Sequence, residues 1–164
     1  MCAHGRGTSM SEQHVMDYLD ILHSGHLPSA RTGWVAVARA DIDYYEAATA
    51  LGDLEAPRVP FPRDWPPRTV VLGGDRVWIG RRGRTRGHRP EIDLGGWPFD
   101  PGVSRLHAVL LPVPEGWALL DPGSAGGTSL NYPTARVPVD ELTPLVDGDR
   151  IYLGAWTTIT LRRV

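Results

Sequence analysis

The 164 residues contain no lysine, and all 17 basic side chains are arginine. A P-loop needs Gly-Lys-Ser/Thr, so that nucleotide site is excluded. A lysine Schiff base and the strand lysine of protein kinases are excluded with it. Cysteine is nearly absent as well. Cys2 stands alone, has no partner for an intramolecular disulfide, and points to a cytoplasmic setting. No apolar run approaches the roughly 20 residues that span a bilayer. The opening "MCAHGRGTSM" lacks the apolar region of a signal peptide. Charge of one sign is also missing. A formal net charge of -2 gives no global pull toward nucleic acid or an anionic membrane. Zinc needs Cys and His clustered at set spacing, and His4, His14, His23, His26, His88 and His107 are scattered. The stretch "DPGSAGGTSLN", 121–131, offers only Asp121 as a carboxylate, so it is no EF-hand loop.

What the chain does have is an ordinary globular balance, 41% hydrophobic and 22% charged, punctuated by 19 Gly and 15 Pro. Its length fits one domain with some extra material. Residues 1–10 are small and polar. In "SEQHVMDYLDILHSG", Val15, Leu19 and Leu22 recur at helical spacing between Ser11, a candidate N-cap, and Gly25. This short amphipathic helix either covers a core or binds a partner, and covering is the commoner use of such a stripe. "GWVAVAR", 33–39, reads as a strand. "DYYEAATALG" predicts a second helix, with Asp43 as N-cap, Glu46 three residues on and Gly52 as its stop. Residues 53–69 hold five Pro and predict an extended connector. From Thr69 onward, "TVVL", "RVWIG", "HAVLLPV", "WALLD", "RIYLG" and "WTTITLRRV" alternate with Gly-, Pro- and Asp-rich turns. Short strands at close intervals predict an all-β sandwich.

Three stretches could carry chemistry. Ser104, His107 and Asp121 are the residue types of an acyl-transfer triad. However, "GVSRL" lacks the closing Gly of a nucleophile elbow, and short strands do not offer that elbow. The basic run "RRGRTRGHRP", 81–90, is a solvated loop or an anion-facing one, since Arg presents a rigid fork to phosphate oxygens. Nucleic-acid binders show broader positive surfaces and exposed aromatics, so peptide phosphate ranks above nucleic acid. The Gly- and Ser-rich loop after Asp121 is either a plain turn or a cradle aiming backbone N–H groups at an anion.

Taken in order, "IGRRGR", "DPGVSRLHAVLL", "WALLDPGSAGGTSLN" and "LVDGDRIYLGAWTTITL" resemble the forkhead-associated (FHA) domain family over about residues 69–163. Upstream, "WVAV", a following helix, a Phe-Pro connector and "PEIDL" look like a bacterial subtype with an N-terminal strand and helix. The resemblance implies an FHA-type β-sandwich of about eleven strands with short N-terminal helices. It divides the chain into a tail, 1–33, and the sandwich with its extension, 34–164. It implies a module without catalytic activity, metal or cofactor, whose partner is a phosphothreonine-containing protein or peptide in bacterial Ser/Thr kinase signalling.

The same resemblance assigns roles by position. Gly80-Arg81 matches the family's Gly-Arg, which makes Arg81 the phosphate-gripping arginine. Ser104 matches the serine that donates to a phosphate oxygen, and Arg105 adds charge beside it. His107 matches the histidine that braces the loop from inside. Ser124, Ala125 and Gly126 occupy the ligand-facing run, while Gly127, Thr128 and Asn131 match its supporting end. Two positions depart from the family. Ala125 stands where a Thr or Ser commonly contacts phosphate, and Gly126 stands where an Asn commonly holds the peptide backbone. Backbone N–H groups remain, and Gly126-Gly127 predicts a more mobile loop. Two functions stay open: weakened phosphothreonine binding, or a phospho-independent interaction or scaffold sandwich.

Overall fold

The computed structural model describes residues 33–51, 59–83, 87 and 89–164. The helix predicted near residues 11–25, Gly52, and Arg84 and Arg86 of the basic run lie outside these residues. The described chain forms ten strands and one helix. The strands are β1 (Trp34–Ala40), β2 (Arg68–Val71), β3 (Val77–Gly80), β4 (Ile92–Asp93), β5 (Ala108–Val113), β6 (Gly116–Leu120), β7 (Thr128–Leu130), β8 (Thr143–Leu145), β9 (Arg150–Leu153) and β10 (Thr157–Arg163). The helix, α1 (Ile42–Ala50), follows β1.

Two five-stranded sheets face each other, ordered β2-β1-β10-β9-β7 and β4-β3-β5-β6-β8. Neighbours run antiparallel except β3 and β4. Inward alternation builds the core. Trp34, Ala36 and Ala38 point in from β1 and meet Ile79, Leu110, Trp117, Leu119, Ile159 and Leu161. β5 and β6 are buried along both faces, because Trp78, Val109, Leu111 and Leu120 form a second apolar cluster with Leu106 and Leu142. That double burial explains why "AVLL" and "WALL" read as continuous apolar runs rather than alternating ones.

β1 lies in the sheet between β2 and β10, so the extension supplies an interior strand. The Pro-rich connector also contributes to the core. Trp65 is buried, sits edge-on to Trp156 at 5.5 Å, and donates its indole N–H to the Pro98 carbonyl at 3.1 Å. The start of α1 differs from the expectation. Its N-cap is Asp41 rather than Asp43. The Asp41 carboxylate accepts from the Tyr44 N–H at 3.1 Å, while the Asp41 N–H donates to the Trp156 carbonyl at 2.8 Å. Asp43 is left in the first turn, where an acid still suits the helix dipole. A nine-residue helix is marginal alone. It is held by Tyr44 and Ala48 packed on Tyr152, with the Tyr44 hydroxyl donating to the Gly154 carbonyl at 2.7 Å.

Candidate functional site

The proposed residues gather at one end of the sandwich, where β3 stops, β5 starts and β6 gives way to the 121–128 loop. Gly80 is there for space. A Cβ at this position would overlap the Arg105 carbonyl, so only glycine lets the 104–105 backbone cross the end of β3. The crossing is sealed by the Arg81 N–H, which donates to the Ser104 carbonyl at 3.3 Å. The Arg81 side chain is oriented twice. Its Nε donates to the Val103 carbonyl, and its guanidinium stacks over Phe99 at 5.1 Å. Arg81, Arg82, Gly95, Phe99 and Arg105 wall one cavity of ≈ 360 Å³. Arg82 pairs with Asp93 at 3.3 Å. Three arginines and one aromatic ring thus surround a space that suits a multiply charged anion. A larger cavity of ≈ 530 Å³ opens at the other end of β5 among Trp34, Val113, Pro144, Leu145 and Val146. Its lining is mainly apolar.

His107 is fully buried and bonded at both ring nitrogens. Nδ1 accepts from the Ser104 N–H at 3.0 Å, which leaves the proton on Nε2, donated to the Gly127 carbonyl at 3.0 Å. Burial pushes the imidazole below its ordinary 6.5, partly opposed by the Asp121 carboxylate. This neutral ring clamps the Ser104 turn to the 121–128 loop. An acyl-transfer triad is not formed, since His107 holds backbone groups rather than the Ser104 hydroxyl and the Asp121 carboxylate.

The centre of the loop is Asp121, which the sequence offered only as a triad member. Its carboxylate accepts from Gly123 N–H at 2.9 Å, Ser124 N–H at 2.7 Å, and the Ser124 and Thr128 hydroxyls, each at 2.7 Å. A second buried carboxylate, Asp100, likewise had no assigned role. It accepts from Gly102, Ala155, Trp156 and Thr157 N–H groups and from the Thr157 hydroxyl, tying the turn before Ser104 to the β9–β10 turn. The signal for both was an Asp followed by Pro-Gly, "DPG", at 100–102 and 121–123. Side-chain-to-backbone bonding two residues on is what Asp does in such turns.

These bonds revise two expectations. The backbone donors expected to cradle an anion are largely turned inward. Gly123 and Ser124 N–H go to Asp121, Ala125 N–H goes to the Ser104 hydroxyl at 3.2 Å, and Gly127 N–H goes to the Ser124 carbonyl at 3.3 Å. The expected extra mobility of Gly126-Gly127 is countered, because Arg136 donates to the Gly126 carbonyl and His107 holds Gly127. Gly127 needs its glycine, with φ +74°, whereas Gly126 does not adopt a left-handed conformation. Ser124 spends its hydroxyl on Asp121. Ser104 accepts from Ala125, which leaves its own O–H to donate. Arg105, Ala125 and Gly126 are exposed, and Thr128 is buried on Asp121. Asn131, at φ 63°, accepts from the Arg150 N–H at 3.0 Å and donates to Asp149 at 3.0 Å, joining β7 to the turn before β9.

The family model described as the FHA domain matches residues 77–154. Among solved structures, an FHA domain of an Arabidopsis thaliana protein is 21% identical, covering 84% of this chain and 91% of that one, with a TM-score of 0.54. The yeast Pml1 splicing factor is 19% identical over 100% of this chain and 98% of its own, with a TM-score of 0.55. The FhaA FHA domain, solved with the intracellular domain of Rv3910, is 34% identical over 58% of this chain and 88% of that one, with a TM-score of 0.45. No curated protein matches the sequence.

Proposed function

The chain belongs to the forkhead-associated (FHA) domain family, and from that premise we propose that it is a phosphothreonine-peptide-binding interaction module. One observation carries the reading. Arg81 and Arg105 line one cavity, Arg81 is held by the Val103 carbonyl and the Phe99 ring, and Ser104, next to Arg105 in the chain, has a hydroxyl proton to give. A phosphate dianion offers three acceptor oxygens to such donors. Recognition is weakened, since Ala125 and Gly126 supply neither hydroxyl nor amide. A phosphothreonine ligand presupposes a threonine kinase; with the bacterial-type N-terminal extension and the lone Cys2, this supports an adaptor in bacterial Ser/Thr kinase signalling in the cytoplasm. No described helix is long and apolar enough to cross a membrane.

The test is calorimetric titration with phosphothreonine peptides and their unphosphorylated counterparts. Phosphate-dependent binding that Arg81→Ala and Ser104→Ala each weaken supports the reading. The bare side chains at 125 and 126 favour a second reading, a partner bound on the same face without phosphate. Equal binding of both peptide forms would select it.

A further inference from the structure

A two-layer sandwich turns the outward side chains of each sheet to solvent unless a further layer covers them. The sheet β4-β3-β5-β6-β8 has a covered outward face. Register sets Trp78, Val109 and Leu120 side by side there, with Leu111 beside Ala118 in the next row. Their inward neighbours Ile79, Leu110 and Leu119 belong to the main core. Yet Trp78 is 5% exposed, Leu111 3%, and Val109 and Leu120 0%. The described hydrophobics packed on them are Leu106, just before β5, and Leu142, just before β8. Two partly buried leucines at strand starts do not close a face that spans four strands. The apolar surface continues through Val113, Ala118 and Pro144 into the cavity of ≈ 530 Å³.

The described chain begins at this cavity. The Gly33 carbonyl accepts the Val164 N–H at 2.7 Å, and Trp34 lines the cavity wall. Residues 1–32, which precede it, are the longest stretch outside the described residues. They carry the apolar stripe Val15, Tyr18, Leu19 and Leu22 at helical spacing. The other such stretches leave from elsewhere. Residues 52–58 start and end beside α1, since the Tyr45 hydroxyl donates to the Val59 carbonyl at 2.8 Å, and α1 packs on Tyr152 of the opposite sheet. Residues 84–86 and 88 follow Arg82 at the arginine cavity. We propose that residues 11–25 form a helix lying across the outward face of β3, β5, β6 and β8, with Val15, Leu19 and Leu22 turned to Val109, Leu111 and Leu120, as a third layer of the fold. The lengths agree. At about 1.5 Å per residue such a helix spans about 22 Å, against about 20 Å for the six residues of β5. Residues 26–32 reach up to about 23 Å when extended, enough to return the chain to Gly33.

The experiment uses the full chain with Cys2→Ser and Asp17→Cys, so that a nitroxide label attaches at position 17 alone. Position 17 lies on the polar side of the helix, away from Leu19 and Leu22. The label should broaden the methyl NMR signals of Val109, Leu111, Ala118 and Leu120, and spare Val35 and Val37 on the outward side of β1. A mixture of nitroxide-labelled protein at natural isotope abundance with isotope-enriched, nitroxide-free protein should show no broadening. Leu19→Asp with Leu22→Asp should abolish the broadening and lower the melting temperature by about 5 °C or more. Leu19→Met with Leu22→Met should keep both, because the volume and apolar character stay. Broadening on β1 instead, no broadening anywhere, or broadening that the two aspartates leave unchanged would overturn the proposal. Broadening in the mixture would assign the face to a second copy and overturn it as well.

Discussion

Asp121 accepts four hydrogen bonds inside its loop, whereas Ala125 and Gly126, a few residues on, present a methyl group and a hydrogen to solvent. The inner face is fully furnished. Asp121 gathers the turn, Thr128 and Ser124 answer it, His107 clamps Gly127, and Asp100 fixes the approach to Ser104. The outer face offers no side-chain polar group at 125 or 126. Loop shape and ligand contact are therefore separable. The buried network that sets the shape is intact, because removing any acceptor there would strand several donors. The exposed positions 125 and 126 carry no such penalty.

Removing an inner acceptor should have the largest effect on the fold. Asp121→Ala leaves two backbone N–H groups and two hydroxyls without their acceptor. A loss of about 3 kcal/mol or more is expected by chemical denaturation, since stranded buried donors cost about 1–3 kcal/mol each when water does not reach them. Ala125→Ser, on the outer face, should leave stability within about 0.5 kcal/mol. If the two variants unfold alike, the contrast between the faces is wrong.

Arg81→Ala comes next. It removes two charge-assisted bonds of about 1.5–3 kcal/mol each, so phosphopeptide affinity should fall about a hundredfold or more. Some stability should go too, because Arg81 also holds the Val103 carbonyl and Phe99. Calorimetry and thermal melting of one variant give both numbers.

Refurnishing the outer face should give a smaller, opposite effect. Ala125→Thr with Gly126→Asn restores a hydroxyl and an amide, and affinity should rise about tenfold. A Cβ at Gly126 meets the Gly102 carbonyl at an ordinary 3.5 Å, and the backbone there is not left-handed, so a side chain can start at 126 without strain. A variant that folds normally and gains nothing would show the two losses to be harmless.

The smallest effect concerns pH. His107 is neutral in the fold because burial lowers its pKa, whereas in the unfolded chain it takes a proton near the ordinary 6.5. Stability is therefore fully present above about 6.5 and declines as pH falls below it, by at most about 1.4 kcal/mol per unit for one proton. His107→Gln, which does not titrate, should melt less steeply with pH between 7.5 and 5.5 than the parent. Parallel curves would mean that His107 takes up its proton as readily in the fold as in the unfolded chain.

The frame of the site was legible in sequence because its parts are adjacent along strands. Gly80 ends β3 with Arg81 just beyond it, and Ser104 to His107 lead into β5, so the β3–β5 register brings them together. The residues that were not legible act across the chain. Asp41 caps α1 because its N–H reaches Trp156, a contact no local pattern records, and Asp43 looked equally suitable. Asp100 meets residues 155–157 across the sandwich. β4, β7 and β8, two to three residues each, are too short to show a period, and only their partners make them strands. The inward turn of the loop's N–H groups was hidden for the same reason, since "DPGSAGG" fits an anion cradle as well as an Asp-centred turn.

The central claim is that a threonine phosphate sits against Arg81 and Arg105 despite the bare outer face. Phosphorus NMR of a phosphothreonine peptide, titrated with acid in the absence and presence of excess protein, tests it at the phosphorus atom. Nearby guanidinium groups favour the dianion, so the bound phosphate should protonate well below its ordinary second pKa of about 6, and Arg81→Ala should restore the free curve. Superimposable titration curves with and without protein would contradict the claim.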